Sequence, residues 1–272
     1  MIIKRTTRDV PSLLADADNL LFELEKAIKE RSLAVYYQPQ LDTKTGSLEH
    51  FEALVRWCHP QRGFVSPAIF VPLAEQSGLI ESLTELIIDL VKADLDIWNI
   101  DGMFRSVAIN ISASFFADVE IAERLFAKLE SIKEHAKAVT LELTETAMVE
   151  NRILAREFLE RSRELGFKIS LDDFGTGHAS LAHLLDFPID EIKIDRSFVS
   201  QVRESEKSLQ IIRSVLFLAS ALGLDVVAEG IERIEELRVI SELGCSRFQG
   251  YYFSPPVPKC QLDEAAAWKE SA

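Results

Sequence analysis

The stretch KISLDDFGTG, residues 168 to 177, sets an apolar alternation (Ile169, Leu171) against two neighbouring carboxylates, Asp172 and Asp173, and then two glycines. The front half reads as a buried strand, because residues two apart in a strand share a face. The carboxylates at its end are the difficulty. Two of them ~4 Å apart repel by roughly 4 kcal/mol at an effective dielectric of ~20, and burying either one unpaired is costly. Such a strand end calls for positive charge beside it.

Similar short runs recur along the chain: LAVYYQP, EHFEALVRW, SVAINIS, AVTLELTE, DEIKID, LDVVAEGIE and CSRFQG. Longer amphipathic segments alternate with them at 68–98, 116–134, 150–166, 200–222 and 232–243. Strands alternating with helices imply a parallel sheet covered by helices, and eight such strands are the count of an α/β protein of the (β/α)8 barrel type. A doubly wound open sheet would carry a glycine-rich phosphate loop after an early strand, and this chain has none. The expected organisation is one domain over 18–265, with 1–17 as an N-terminal extension or linker and 266–272 as a tail. Leu20, Leu21, Leu24, Ala27 and Ile28 form one helical stripe over 17–31, a helix leading into the domain.

Reading each strand with period two separates its faces. Glu52, Leu54 and Arg56 oppose Phe51, Ala53 and Val55, while Asn110, Glu142, Asp172, Lys193, Glu229 and Gln249 each stand opposite apolar neighbours. In a barrel the apolar set faces the helix ring, and the polar tips meet at the C-terminal mouth, where barrel enzymes carry their chemistry. Glu52, Asn110, Glu142, Asp172, Asp173 and Glu229 would therefore converge there, joined by Lys193, Arg56 and Gln249. Five carboxylates would raise one another's pKa steeply, and one lysine is too little to offset them. Divalent cations are the economical answer, and all-oxygen ligands point to Mg²⁺ or Mn²⁺. Asp172 would bridge two ions, with Asp173 turned by the loop toward the second and Gly175 and Gly177 allowing the bend.

Simpler roles compete for each residue. A lone carboxylate at a strand end can cap the next helix, Lys193 could pair with Asp195 or Glu191, and Arg56 could be structural. His59, His135 and His183 show no metal-ligand spacing and read as surface or packing residues, while Tyr251, Tyr252 and Phe253 read as core and rim packing. What favours the site is that six metal-capable positions obey the same inward rule.

At 272 residues and 47% hydrophobic the chain can bury a large core. Its net charge of −14 argues against polymeric nucleic acid or an anionic membrane as main partner, since both recruit basic faces. Cys58, Cys245 and Cys260 are odd in number and scattered, as expected of reduced thiols in a cytoplasmic protein. The N-terminal MIIKRTTRDV has no apolar core after its basic residues, unlike a secretory signal. The most apolar helical stretch, 211–224, carries Arg213 and falls short of the ~20 residues a bilayer span needs, so no direct membrane insertion is expected.

The sequence resembles the EAL family of cyclic di-GMP phosphodiesterases. EALVRW stands at 52–57, and YYQPQLDTKTG, HPQRGFVSPAIFVPLAEQSGLI, NIS, ELTE, DDFGTG, IKIDRSFV, AEGIE and QGYYFSPPVP lie in the family order over about residues 20 to 260. The resemblance implies a modified TIM barrel with an antiparallel first strand, and two-metal, in-line hydrolysis of cyclic di-GMP to linear pGpG. Carried over by motif, Glu52, Asn110, Glu142 and Asp172 would hold one ion and Asp172, Asp173 and Glu229 the other. Lys193 would position the attacking water; Glu52 and Glu229 would share in the catalytic set. Gln38, Arg56, Gln249 and Asp195 would contact substrate, and Glu145 would anchor the loop after Asp173. For Tyr251, Tyr252 and Phe253, guanine stacking is the lesser alternative to packing. It also implies a homodimer and a possible upstream sensory or cyclase domain. His178 and Ala179, His50, Ser246 and Pro255 depart from the usual pattern, and none of them is an expected ligand.

Two other functions compete with the metal enzyme. A cyclic di-GMP-binding sensor module would usually lack some ligands, and this sequence lacks none. A barrel glycosidase with paired carboxylates needs neither adjacent aspartates nor Asn110 and Lys193.

Overall fold

A computed structural model describes residues 10–147, 151–175 and 181–262, with the side chains of all but 10–17, 47 and 181–183. Gly177, His178 and Ala179, the His183 side chain, the first nine residues and the tail 266–272 lie outside the described residues.

Helix α1 (Val10–Lys29) precedes a hairpin of β1 (Ala34–Asp42) and β2 (Ser47–His59). There follow β3 (Gly63–Val65), α2 (Pro67–Ser77), α3 (Ile80–Ile100), β4 (Ser106–Asn110), α4 (Val119–Glu130), β5 (Val139–Thr144), α5 (Arg152–Glu164) and β6 (Lys168–Phe174). The chain continues through α6 (Leu181–Asp186), β7 (Glu191–Ile194), α7 (Arg196–Val199), α8 (Glu206–Leu222), β8 (Asp225–Ala228), α9 (Ile234–Glu242), β9 (Arg247–Gln249) and β10 (Val257–Pro258).

Eight strands close a barrel. β2, β4, β5, β6, β7, β8 and β9 pair in parallel in that order, and β1 closes the ring by pairing antiparallel with both β2 and β9. The fold is thus a modified TIM barrel with an antiparallel first strand. Its reversal has a local cause: only residues 43–46 join β1 to β2, with Gly46 at φ +66°, and a parallel neighbour would need a crossover of a dozen residues or more. Two short strands, β3 and β10, extend β2 and β1 at the rim and carry no apolar alternation long enough to read in sequence.

The expected segment 68–98 is two helices. Gly78, at φ +78° in the left-handed region, ends α2, and α3 starts two residues later. Segment 116–134 is likewise divided, because Asp118 caps α4 by accepting hydrogen bonds from the backbone N–H of Glu120 and Ile121. Ala122, Leu125 and Leu129 then form the buried stripe of α4.

The core lies between the barrel's outer face and the helix ring. Val107, Ile109, Leu141, Ile169, Leu171, Ile192 and Ile194 are all fully buried there, the apolar parity read from each strand. Inside, the barrel floor is polar: His50 Nδ1 lies 2.5 Å from Ser106 Oγ, Ser170 Oγ donates to Glu191, and Glu191 pairs with Arg247. Replacing Leu141 by Ala should cost about 2–5 kcal/mol through the cavity it leaves. Ile100→Ala, on a side chain 83% exposed, should stay within about 0.5 kcal/mol. Urea unfolding of both variants checks the contrast.

Candidate active site

The parallel strands all end at one mouth, and the inward residue nearest each end is polar. In register, Asn110 of β4 stands beside Glu142 of β5, and Glu52 of β2 pairs with Gln38 of β1. The centre is Lys193 of β7, fully buried, with Nζ at 2.5 Å from Glu229, 3.0 Å from Glu142, 3.5 Å from Glu52 and 3.7 Å from Asp172. Burial alone would favour the neutral amine, but the attraction of Glu142, Glu229, Glu52 and Asp172 outweighs it and holds the pKa well above the ordinary lysine value.

The carboxylates divide by what they lack. Glu52 accepts hydrogen bonds from Asn110 (2.9 Å) and Gln249 (2.6 Å). Burial pushes its pKa up, yet Lys193 and these two amides bring it below the ordinary value. Glu142 has no such donors: both oxygens are buried without a hydrogen-bond partner, since Lys193 is near but not aligned. Burial, reinforced by repulsion from Glu52, Asp172 and Glu229, raises its pKa well above the ordinary value. Glu229 is pushed up to about 8 by burial and by Asp172 and Glu52. Asp173 is pushed up to about 6 by burial, Asp172 and Asp195.

Adjacent aspartates on a strand should point to opposite faces, and the backbone prevents this. Asp173 adopts φ +55°, a strained conformation for a side chain other than glycine, and the β6–β7 register shifts between Leu171 and Phe174. Oxygens of Asp172, Asp173 and Glu229 thereby come within 4.8 Å of one another. The turn is held from below, where Gly175 N–H donates to Glu145 at 3.0 Å. Gly175 itself has φ +98°, and a Cβ there would sit 3.1 Å from the Phe198 ring.

With all five carboxylates ionised, they and the one ammonium leave four negative charges in this space, which two divalent cations would neutralise. The donor set is all oxygen, and Glu142 supplies two buried acceptors with nothing to accept. The residues present therefore fit hard divalent ions.

The expected substrate contacts lie around this centre. Arg56 donates to its neighbour's carbonyl, Val55 O, at 2.9 Å, and its guanidinium lies 5.8 Å from the centre of the Tyr36 ring. It lines two cavities, one of about 590 Å³ walled by Leu54, Pro67, Val71 and Asn110, the other of about 510 Å³ walled by Tyr36, Phe64 and Tyr251. Gln38 donates to Ser254 O at 3.2 Å, and Gln249 donates to Gln38 Oε1 at 3.1 Å as well as to Glu52. Asp195 caps α7 through Ser197 N–H at 3.0 Å while facing Asp173.

Sequence reasoning passed over three neighbours of the site. Gln40 donates to Gln249 at 2.9 Å, and its parity with Gln38 was the available signal. Gly230 follows Glu229 at φ +69°, where a Cβ would come within 2.4 Å of the Arg196 side chain, and Arg196 pairs with Glu232 at 3.1 Å. No periodicity announces those two. His59 accepts hydrogen bonds from Gln61 and Arg62 N–H, and His135 sits 2.7 Å from Asp96, both away from the centre. His50, Ser246 and Pro255 also stand clear of the carboxylates: His50 and Ser246 O lie at the barrel floor, and Pro255 lines the cavity of about 510 Å³.

The molecule is thus an eight-stranded barrel with a reversed first strand and an acidic, lysine-centred mouth. The family model described as EAL domain matches residues 22–256, and the chain belongs to that family. A cyclic di-GMP phosphodiesterase of Pseudomonas aeruginosa is 39% identical over 249 residues, covering 91% of this chain and 42% of the relative. The cyclic di-GMP phosphodiesterase PdeR of Escherichia coli is 38% identical over 235 residues, covering 86% of this chain and 35% of its own length. The chain thus spans less than half of either relative. Among solved structures, the PaMucR phosphodiesterase in complex with c-di-GMP superposes with a TM-score of 0.83 at 33% identity, covering 90% of this chain and 99% of that one.

Because Glu229 and Asp173 have raised pKa values when folded, the metal-free fold binds protons that the unfolded chain has already released. In chelator, stability should therefore fall as pH rises from the ordinary carboxylate range near 4, the Asp173 share of the loss ending at about 6 and the Glu229 share at about 8. Mg²⁺ or Mn²⁺ at a hundredfold excess over its dissociation constant should restore about 2.7 kcal/mol and flatten that slope. Thermal unfolding across pH, with EDTA or with metal, measures both.

Proposed function

We propose that this domain hydrolyses one phosphodiester of cyclic di-GMP to give linear pGpG, using two divalent cations, Mg²⁺ or Mn²⁺. The observation that carries the reading is the uncompensated acidic mouth around Lys193, with Glu142 buried and undonated. The names of the relatives and the bound nucleotide of the PaMucR complex point to the same substrate.

In this reading Glu52, Asn110, Glu142 and Asp172 hold one cation, and Asp172, Asp173 and Glu229 the other. Held there, such cations would supply Lewis acidity to the phosphate oxygens and offset the negative charge that develops on them. Lys193 remains an ammonium, so it orients the attacking water as a donor and does not serve as a base. Glu145 keeps Asp173 in its left-handed turn. Arg56, between the two cavities, takes a phosphate, with Gln38, Gln249 and Asp195 lining the path of the substrate. The cavity walls are mostly apolar, which suits the faces of guanine bases. Among the described residues no helix is long and apolar enough to cross a membrane. The same reading places the domain in the cytoplasm as a homodimer, with sensory or cyclase modules as candidates for the remainder of a longer protein.

Purified protein with cyclic di-GMP and Mg²⁺ or Mn²⁺ should release pGpG, measured by chromatography, and EDTA should abolish release. Glu52→Ala should lower kcat/KM by more than the about 10- to 100-fold that loss of an outer hydrogen bond to a ligand costs. Nucleotide binding without product in either metal would replace the enzyme by a sensor. Arg56→Ala should act mainly on KM, as removal of a contact made equally in ground and transition states does.

A further inference from the structure

The antiparallel first strand brings two glutamines into the barrel from the opposite direction to every other inward residue. Gln38 and Gln40 are both buried, two residues apart on one face, and Gln40 pairs in register with Gln249 of β9. Four buried side chains then form a line: Gln40 Nε2 donates to Gln249 Oε1 (2.9 Å), and Gln249 Nε2 donates to Glu52 Oε2 (2.6 Å) and to Gln38 Oε1 (3.1 Å). Glu52 Oε1 accepts from Asn110 (2.9 Å).

The direction of this line is set by chemistry. An ionised carboxylate only accepts, so Gln249 must turn its NH₂ toward Glu52 and its carbonyl away. That carbonyl is buried and needs a donor, and the donor is Gln40. Rotating the Gln249 amide by 180° would leave its oxygen against the carboxylate and its NH₂ against the NH₂ of Gln40. With its own NH₂ turned toward Gln249, Gln40 thus adds a donor–donor clash to the orientation that would set an oxygen against Glu52. It touches no other carboxylate of the mouth among its recorded hydrogen bonds.

We infer that Gln40 is a positioning residue for Glu52, acting through the Gln249 amide and so setting how well the mouth takes up a divalent cation. This rests on reading Glu52 as a metal ligand. Orienting partners of this kind hold a ligand in its binding geometry, and their loss weakens metal affinity.

Mn²⁺ binding, followed by the loss of its free electron-paramagnetic-resonance signal, tests it. Gln40→Met, of similar volume, and Gln40→Asn, one methylene too short to reach, should each weaken Mn²⁺ affinity roughly tenfold, with KM for the nucleotide within about twofold at saturating metal. In a Gln249→Met background, Gln40→Met should change the affinity no further. Equal Mn²⁺ affinity in wild type and both variants overturns the role of Gln40 while leaving the metal site standing. A tenfold loss that persists in the Gln249→Met background overturns the route through Gln249. Wild-type protein that takes up no Mn²⁺ overturns the metal reading and this inference together. Should the variants not fold, the wild type still decides: the side-chain amide signals of Gln249 and Gln40 should both shift on Mg²⁺ titration, and a stationary Gln40 signal overturns the coupling.

Discussion

A buried ammonium surrounded by carboxylates is the interaction on which the mouth of this barrel depends. Removed from water, Lys193 would shed its proton, and each carboxylate around it would hold on to one. Between 2.5 and 3.7 Å from four acidic side chains, the ammonium offsets the burial cost of its neighbours as they offset its own. The charges therefore exist only together. Yet the balance is unequal, since a fifth carboxylate, Asp173, joins the same space. That surplus of negative charge is unmatched by any cation of the chain in this space, and it presses hardest on Glu142, which is buried without a hydrogen-bond donor of its own.

The fold makes this arrangement possible by geometry that is simple to state. Parallel strands present their last inward side chain at the same end of the barrel, so residues far apart in sequence become neighbours. Most barrels of this kind fill their interior with branched apolar side chains. Here the interior is polar from floor to mouth, through Glu191 and Arg247 below, Gln40 and Gln249 at mid-height and the carboxylates above. Hydrogen bonds in such a chain restrain one another, which keeps the carboxylate oxygens oriented. The reversed β1 contributes to this directly: it delivers amides, and no charge, to the side of Glu52 that the other strands leave open.

Much of the site was legible before folding. The inward parity of Glu52, Asn110, Glu142, Asp172, Lys193 and Glu229 follows from period two, a property of each strand alone, and the structure places all six side chains around one centre. The antiparallel first strand entered through resemblance to a family, although the short link 43–46 already carried its physical reason. Less was legible where one residue redirected a longer pattern. Gly78 breaks what reads as a continuous amphipathic segment, because a left-handed residue ends a helix whatever the periodicity beyond it. β3 and β10 are too short to show any alternation.

The sequence by itself determined which side chains face inward, which strands carry acid at their ends and that positive charge must be supplied to them. Only the tertiary structure decided that Asp173 shares a face with Asp172, since this depends on a φ of +55° at Asp173, two residues before the Gly175 N–H that donates to Glu145. It alone decided that Gln249 donates to Glu52 and that Gln40 stands behind it. The physical reason is one of range. Parity and polarity are written in neighbouring residues, whereas the distance between strand tips and the direction of a shared hydrogen bond arise only when the ring closes.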